Sequence, residues 1–217
     1  MKFTLILAAS LLLLASCNCT RTSNDEWRYE VKQVSEETDN FKQLFNYPVF
    51  NNEFIDGIVL TEIEKESKQF KSDIGVERIS ENWKNEQVVN VEVFTSNDGK
   101  VSLLFYNYLF TGGAHGNTLL KSYVIDANTK ELIDLADVLK GSYFENLQAQ
   151  SRKQLKKKLG YEGFVDEGTE TLSDFSHFVL SNDSIQFYFP QYQVASYADG
   201  IQEISFSLQE LLKEGNK

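Results

Sequence analysis

The residues best equipped for chemistry lie in Thr111–Gly116, TGGAHG, which gathers three glycines around His115, one of only two histidines in the 217-residue chain. A phosphate-cradling Walker loop needs G-x-x-x-x-G-K-[ST], and Gly116 is followed by Asn117 rather than lysine. A dinucleotide fingerprint needs its glycines to open a helix, whereas these precede an alternating, strand-like run. No G-x-S-x-G nucleophile elbow occurs in the chain. As a zinc ligand His115 would need partners, and His177 stands far off with no H-E-x-x-H spacing between them. The expectation is therefore no catalytic residue, no metal and no cofactor, and a protein that is not an enzyme. Glycines supply positive φ where two strands reverse, so the stretch reads as a turn in which Gly113 bends the chain and His115 caps the crossing. A rival reading makes His115 a hydrolytic group beside Asp126, Asp199 or Glu203, because paired carboxylates cleave glycosidic bonds without metal.

The second unusual stretch is Phe187–Gly200, FYFPQYQVASYADG, where Tyr188, Tyr192 and Tyr197 cluster with Pro190. Exposed, such rings suit a recognition surface, in which tyrosine is enriched as an anchor. Buried, they complete the core beneath a long loop. Gly113, His115, Tyr192 and Tyr197 are the candidate binding residues.

These residues need a scaffold, and its elements are legible as periods. WRYEVKQV from Trp27 alternates as a strand, and FNYPVF follows, with Pro48 suited to a turn or edge strand. Phe54, Ile55, Ile58, Val59, Ile63 and Phe70 recur at helical spacing, with charged residues such as Glu62 and Glu66 between them, and the helix is expected to stop near Ser72–Gly75. QVVNVEVFT and KVSLLFYNYLF form a hairpin about Asp98-Gly99. LLKSYVIDA is the next strand, then LIDLADVLKG gives a short strand and a helical turn with Asp134 as N-cap. A second amphipathic helix carries Phe144, Leu147, Leu155 and Leu159, with Ser142 and Glu145 at capping-box spacing. Tyr161–Asp174 reads as a mobile loop or broken helix. HFVLS and SIQFYF flank Asn182-Asp183 as a second hairpin, IQEISFSL is a final strand, and Leu208–Leu212 starts a short helix. The fold class is α+β, a mainly antiparallel sheet with two principal amphipathic helices, in two modules packed as one unit.

Composition and the first residues bound the setting. MKFTLILAASLLLLASC has a basic start and an apolar run too short to span a bilayer, followed by small residues before Cys17. It reads as a signal peptide over residues 1–16, ending at a lipobox-like Leu-Ala-Ser-Cys. Acylation of Cys17 would hold the chain on the extracytoplasmic side of a bacterial membrane, and several acyl chains anchor firmly where one is marginal. Residues 17–26 read as a polar tether. A net charge of −11 excludes nucleic acid, since counterion release needs clustered cations, and it attracts basic proteins. The run Arg152–Lys158 reads as one solvated helix face. With Cys17 acylated only Cys19 remains, so no internal disulfide supports the fold and the core must.

Taken in order, YNYLFTGGAHGNT, YVIDANTKELIDLADVL and IQFYFPQYQVASYADGIQEISF resemble the extracytoplasmic domain of the anti-sigma factor RsiV, over residues 101–213. The preceding FNYPVF and FIDGIVLTEIEKESKQF resemble the module that accompanies it and precedes the deacetylase domain of PdaC-type enzymes, over residues 27–100. The resemblance implies an α+β fold and a sensing or binding unit whose known partner in RsiV is lysozyme. Neither the transmembrane helix and cytoplasmic segment of the anti-sigma role nor the metal-dependent deacetylase domain is read in this sequence. The expected function is a non-enzymatic, lipid-anchored envelope lipoprotein that binds a lysozyme-like muramidase or peptidoglycan. The alternatives are a cell-wall hydrolase or a structural assembly lipoprotein.

Overall fold

The computed structural model of the protein describes residues 20–23, 27–74, 83–139 and 143–213. Cys17 and the signal segment lie outside the described residues, so the lipidation reading is not addressed by the fold. Thr20–Ser23 (β1), inside the stretch read as a tether, pairs antiparallel with Trp27–Glu37 (β2). An open strand edge offers unpaired N–H and C=O groups, and the chain reverses onto them.

β2 continues into Phe41–Val49 (β3), the helix Glu53–Ile74 (α1), then Asn85–Thr95 (β4), Lys100–Phe110 (β5), Asn117–Asp126 (β6) and Glu131–Leu132 (β7). These strands make a seven-stranded sheet in sequence order, antiparallel throughout except for β3 and β4. That one pair is parallel because α1 carries the chain back over the sheet between them, as a parallel crossover requires. Pro48 therefore sits inside a sheet rather than in a turn. β4 pairs with β3 only as far as Asn46, so at Pro48 the strand is locally an edge and its missing donor costs no ladder bond.

α1 starts where Asn52 Oδ1 accepts from the amides of Phe54 and Ile55, and Asp56 reaches back to the amides of Phe50 and Asn52. Ile55, Val59 and Ile63 recur every fourth residue and bury against Phe45, Val89, Val101, Leu103 and Phe105. β5 is buried on both faces along Val101–Phe105, since α1 covers one side and a second sheet covers the other.

That second sheet comprises Phe178–Ser181 (β8), Ser184–Phe189 (β9) and Gln202–Ser207 (β10), in the order β10-β9-β8 and antiparallel. Between the sheets in sequence lie Leu135–Leu139 (α2) and Phe144–Leu159 (α3), and Leu208–Lys213 (α4) ends the described chain. α3 begins at Phe144 with Tyr143 in the cap position and no side-chain cap bond, while Ser142 of the expected capping box lies outside the described residues. Tyr161–Asp174 takes the broken-helix form of the two expected for it. It forms two 3-10 turns, Glu167–Thr169 and Leu172–Phe175, around the fully buried Val165 and Phe175. The basic run of α3 holds this segment in place. Arg152 donates to Thr169 Oγ1 at 3.0 Å and to the Asp166 carbonyl at 2.9 Å, and Lys156 meets the Asp166 carboxylate at 2.9 Å.

β8 lies across β5 and β6, and its outer backbone groups face the larger sheet without a neighbouring strand. Two serines substitute for one. Ser102 Oγ accepts from the Leu180 amide at 2.9 Å and donates to the Leu180 carbonyl at 3.2 Å. Ser122 Oγ accepts from the Phe178 amide at 3.1 Å and donates to the Ser176 carbonyl at 3.3 Å. At the opposite edge, Gln154 and Lys158 of α3 donate to the β10 carbonyls of Ser205 and Glu203. Removing a buried partner leaves an unsatisfied donor, at about 1–3 kcal/mol. Ser102→Ala is therefore expected to lower the urea-unfolding free energy by about that amount. Ser151→Ala, at an equally buried hydroxyl with no partner among the described residues, is expected to be neutral or stabilising when measured alongside it.

Candidate functional site

The TGGAHG stretch is the connection between β5 and β6, whose last register pair is Leu109 and Asn117. Gly112 and Gly113 adopt φ of 102° and 98°, a region that a side chain occupies only under strain. Gly116 lies flat against Tyr108, where an added Cβ would stand 2.4 Å from ring carbons. The turn reading of the glycines matches this geometry.

His115 is tied to the turn and to a distant loop together. Its Nδ1 donates to the Gly116 carbonyl at 2.9 Å, and the Tyr197 hydroxyl donates to that same oxygen at 2.8 Å. The imidazole stacks on the Tyr197 ring, with centroids 3.8 Å apart and planes 23° apart. Tyr192 extends the series, 5.8 Å from Tyr197. Gly113, His115, Tyr197 and Tyr192, picked from two separate stretches, thus share one surface. Tyr192 is 59% exposed and Tyr197 half-buried, whereas Tyr188 belongs to β9 and to the core.

The carboxylates offered to His115 by the hydrolase reading are engaged elsewhere. Asp126 Oδ1 accepts from the amides of Asn128 and Thr129 in the β6–β7 turn. Asp199 accepts from Ser196 and from the Tyr161 hydroxyl, which hold its carboxyl below the usual range. Glu203 sits on β10 opposite Tyr188. Here His115 is bonded to a carbonyl and stacked on a ring, with none of the three beside it.

His115 also borders a groove of about 640 Å³, lined among others by Trp83, Tyr108 and Phe110. Trp83 packs on Phe110 with centroids 6.1 Å apart, yet its indole remains 62% exposed. Lys42, Asn85 and Glu86 supply polar groups along the same groove. Composition gave no sign of this assembly, because Trp83 and His115 are joined only by the pairing of β4 with β5.

A second titratable centre lies under α1. Glu62, one of the charged residues between the apolar positions of the helix, is 4% exposed. Lys65 donates to it at 2.8 Å, and the Tyr123 hydroxyl donates to its other oxygen. Burial opposes its ionisation, but the bonds from Lys65 and Tyr123 outweigh that and keep its carboxyl below the ordinary range. Glu66 goes the other way, raised by burial and then by its bond to Glu62. A row of amides from three strands leads to it. Gln43 donates to Gln87 at 2.6 Å, Gln87 to Asn107 at 3.0 Å, and Asn107 to Glu66 at 2.6 Å. Beside Glu62 and Tyr123 an open cleft of about 590 Å³ runs along Glu53, Phe54, Gly57 and Ile58.

Residues 34–118 match the family described as "Deacetylase PdaC", and residues 136–209 match one described as "Protein of unknown function (DUF3298)". The chain carries a PdaC-type module followed by a DUF3298 domain. The PdaC-type match ends just past the GGAHG turn, and the DUF3298 match contains Tyr192 and Tyr197, so the stacked rings join the two. A Bacillus subtilis (strain 168) protein named "Peptidoglycan-N-acetylmuramic acid deacetylase PdaC" is 30% identical over 207 residues, 91% of this chain and 44% of that protein. The chain thus spans less than half of that relative. Two crystal structures share the fold. One is a DUF3298-family member from Bacteroides fragilis NCTC 9343, with TM-score 0.60, 19% identity, and 86% of this chain and 92% of that chain covered. The other is a DUF3298-family protein from Pseudomonas aeruginosa PAO1, with TM-score 0.65, 18% identity, and 87% and 94% covered.

The expectation of a non-enzymatic protein is corrected here: the Bacillus subtilis relative is named as an enzyme. That expectation rested on the lack of a familiar reactive constellation around one glycine turn. Such a test says nothing of groups assembled elsewhere.

Two measurements follow from the site. Tyr192 holds φ at 70° in the turn that the Gln193 amide closes onto the Pro190 carbonyl, a conformation costing a side chain about 1–2 kcal/mol. Tyr192→Gly is expected to leave the thermal midpoint unchanged or raised, although it deletes a whole ring. The raised Glu66 carboxyl contributes stability fully below its unfolded value and loses it as pH rises through its folded value. Glu62, with its carboxyl lowered, loses its contribution instead as pH falls through its folded value. Glu66→Gln removes only the first dependence. In urea titrations it is expected to match the parent near pH 4 and to exceed it at pH 7–8.

Proposed function

We propose that this chain is an extracytoplasmic protein of the bacterial cell envelope, acylated at Cys17, that engages peptidoglycan through the face carrying His115, Tyr197 and Tyr192. The observation that carries this reading is the exposed aromatic series at the seam of a PdaC-type module and a DUF3298 domain, the first of which it shares with a relative named for acting on peptidoglycan. Flat rings held rigidly at a surface bind ligands at low entropic cost, and tyrosine adds a hydroxyl that hydrogen-bonds at the ring edge. The bend at Gly112-Gly113 fixes where the imidazole stands, and Tyr197 fixes how it faces.

A second reading is favoured by charge. A net charge of −11 steers a strongly basic protein toward the chain, so a lysozyme-like muramidase is the competing partner. Charge governs encounter more than affinity, whereas the ring series offers a built contact, so the wall is preferred.

The test is co-sedimentation of the purified chain with insoluble peptidoglycan sacculi, beside a calorimetric titration with lysozyme and an assay of acetate released from the sacculi. Pelleting with sacculi at micromolar concentration is expected. Tyr192→Ala, at an exposed ring, is expected to weaken it by about 1–2 kcal/mol, roughly five- to thirty-fold. Heat with lysozyme and no pelleting with sacculi would replace the wall by the muramidase. Neither signal would remove the binding reading altogether.

A further inference from the structure

We infer that the groove between the ends of β4 and β5 and the GGAHG turn is a subsite for an N-acetylated hexosamine, its pyranose ring lying on the indole of Trp83. The inference rests on the wall-glycan reading above and deepens it. A sugar ring has an apolar face of C–H bonds and a polar rim, so its complement is an exposed aromatic plane bordered by amides and charges. The groove has that composition. Trp83, Phe110 and Tyr108 give the apolar floor, with Trp83 tilted against Phe110 and still 62% exposed. Lys42 and Glu86 give a donor and acceptors at the rim, while Asn85 is buried beneath it with its amide nitrogen bonded to Asn40.

Charge decides among occupants. Lys42 pairs with Glu86 at 3.7 Å, and Lys84 with Glu37 at 2.8 Å, so the lining carries matched charges rather than a cationic strip. A nucleic acid or lipid headgroup would need unpaired cations, and a lipid tail or apolar helix would leave the rim desolvated. A neutral ligand with many hydroxyl and amide groups meets both halves.

Size and continuity point the same way. About 640 Å³ falls within the range of small-ligand sites and exceeds what a single hexose ring fills. His115 borders the groove and stacks on Tyr197, which neighbours Tyr192, so the aromatic series continues past the groove's end. A chain of linked sugars would therefore run from Trp83 toward Tyr192.

Trp83 reports on its own occupancy once the second indole is removed. Trp27→Phe does so at little cost, because the Trp27 indole N–H is buried with no hydrogen-bond partner among the described residues to lose. In the full-length chain carrying Trp27→Phe, chitotetraose is expected to shift Trp83 emission to the blue and saturate. Phe110→Ala should weaken that binding at least fivefold with the circular dichroism unchanged. Maltotetraose, which lacks acetamido groups, should bind at least tenfold more weakly, and equal binding would overturn the N-acetyl assignment. If sacculi pellet the chain, but Trp83→Ala leaves that unchanged and chitotetraose leaves Trp83 emission unmoved, the subsite is overturned while the wall reading stands. If chitotetraose saturates Trp83 but sacculi do not pellet the chain, the subsite stands and the wall reading fails. A Trp83 shift seen with lysozyme and not with chitotetraose would overturn the subsite in favour of a protein contact.

Discussion

A strand edge laid on the face of another sheet is the constraint from which the rest of this structure follows. β8 has β9 on one side and the side chains of β5 and β6 on the other, so half of its amides and carbonyls would be buried without partners. Ser102 and Ser122 meet that need because a hydroxyl both donates and accepts, and a serine places it at a distance a strand backbone would otherwise occupy. The arrangement fixes the position of the smaller sheet along the larger one to within a hydrogen bond. The loop between β9 and β10 is then carried to the β5–β6 turn, where the Tyr197 hydroxyl finds the Gly116 carbonyl. The fully buried Ser102 and the partly buried Ser122 thereby help set where the aromatic surface forms.

The GGAHG turn is architectural and exposed at once. One carbonyl, that of Gly116, takes both of its donors from side chains, and those side chains stack on one another. An imidazole held by Nδ1 and by one face is locked in orientation, which suits a wall of a binding groove better than a group that must shuttle a proton. The enzymatic character of the Bacillus subtilis relative therefore gives no reason to assign chemistry to this histidine. Paired carboxylates pushed apart in acidity do occur in the chain, at Glu62 and Glu66, on the opposite face of the large sheet.

Much of the fold was legible as periodicity. The alternation of WRYEVKQV, the four-residue recurrence from Ile55 to Ile63, and the Asp98-Gly99 and Asn182-Asp183 turns each specify a local element whose burial requires that pattern. What lay beyond reach was non-local. The parallel pairing of β3 with β4 depends on where α1 returns the chain, and no residue in either strand announces it. The burial of Glu62 depends on Lys65 and Tyr123 both arriving there, which helical spacing does not reveal. Tyr161–Asp174 lacks any period because its order comes from Arg152 and Lys156 reaching over from α3. The candidate binding residues were found from two conspicuous stretches, and their meeting is a product of sheet docking. Trp83 went unnoticed since a lone tryptophan carries no spacing to read.

Strain and apolar exposure are each selected against when folding is the only demand, and both persist along this one surface. Tyr192 occupies a backbone region that glycine would fill without penalty, and its ring then projects into water where it buries little of its own apolar area. Trp83 gives up most of the burial that makes tryptophan useful to a core. Single exposed apolar residues are common on proteins and mean little alone. Here two of them flank the one histidine whose orientation is fixed from two directions, so the rings form an ordered series rather than scattered leftovers of an imperfect core. Under the proposed binding of wall glycan, those ring faces would recover what folding leaves unspent. The same contact would be served by a tyrosine at a turn that glycine builds more easily.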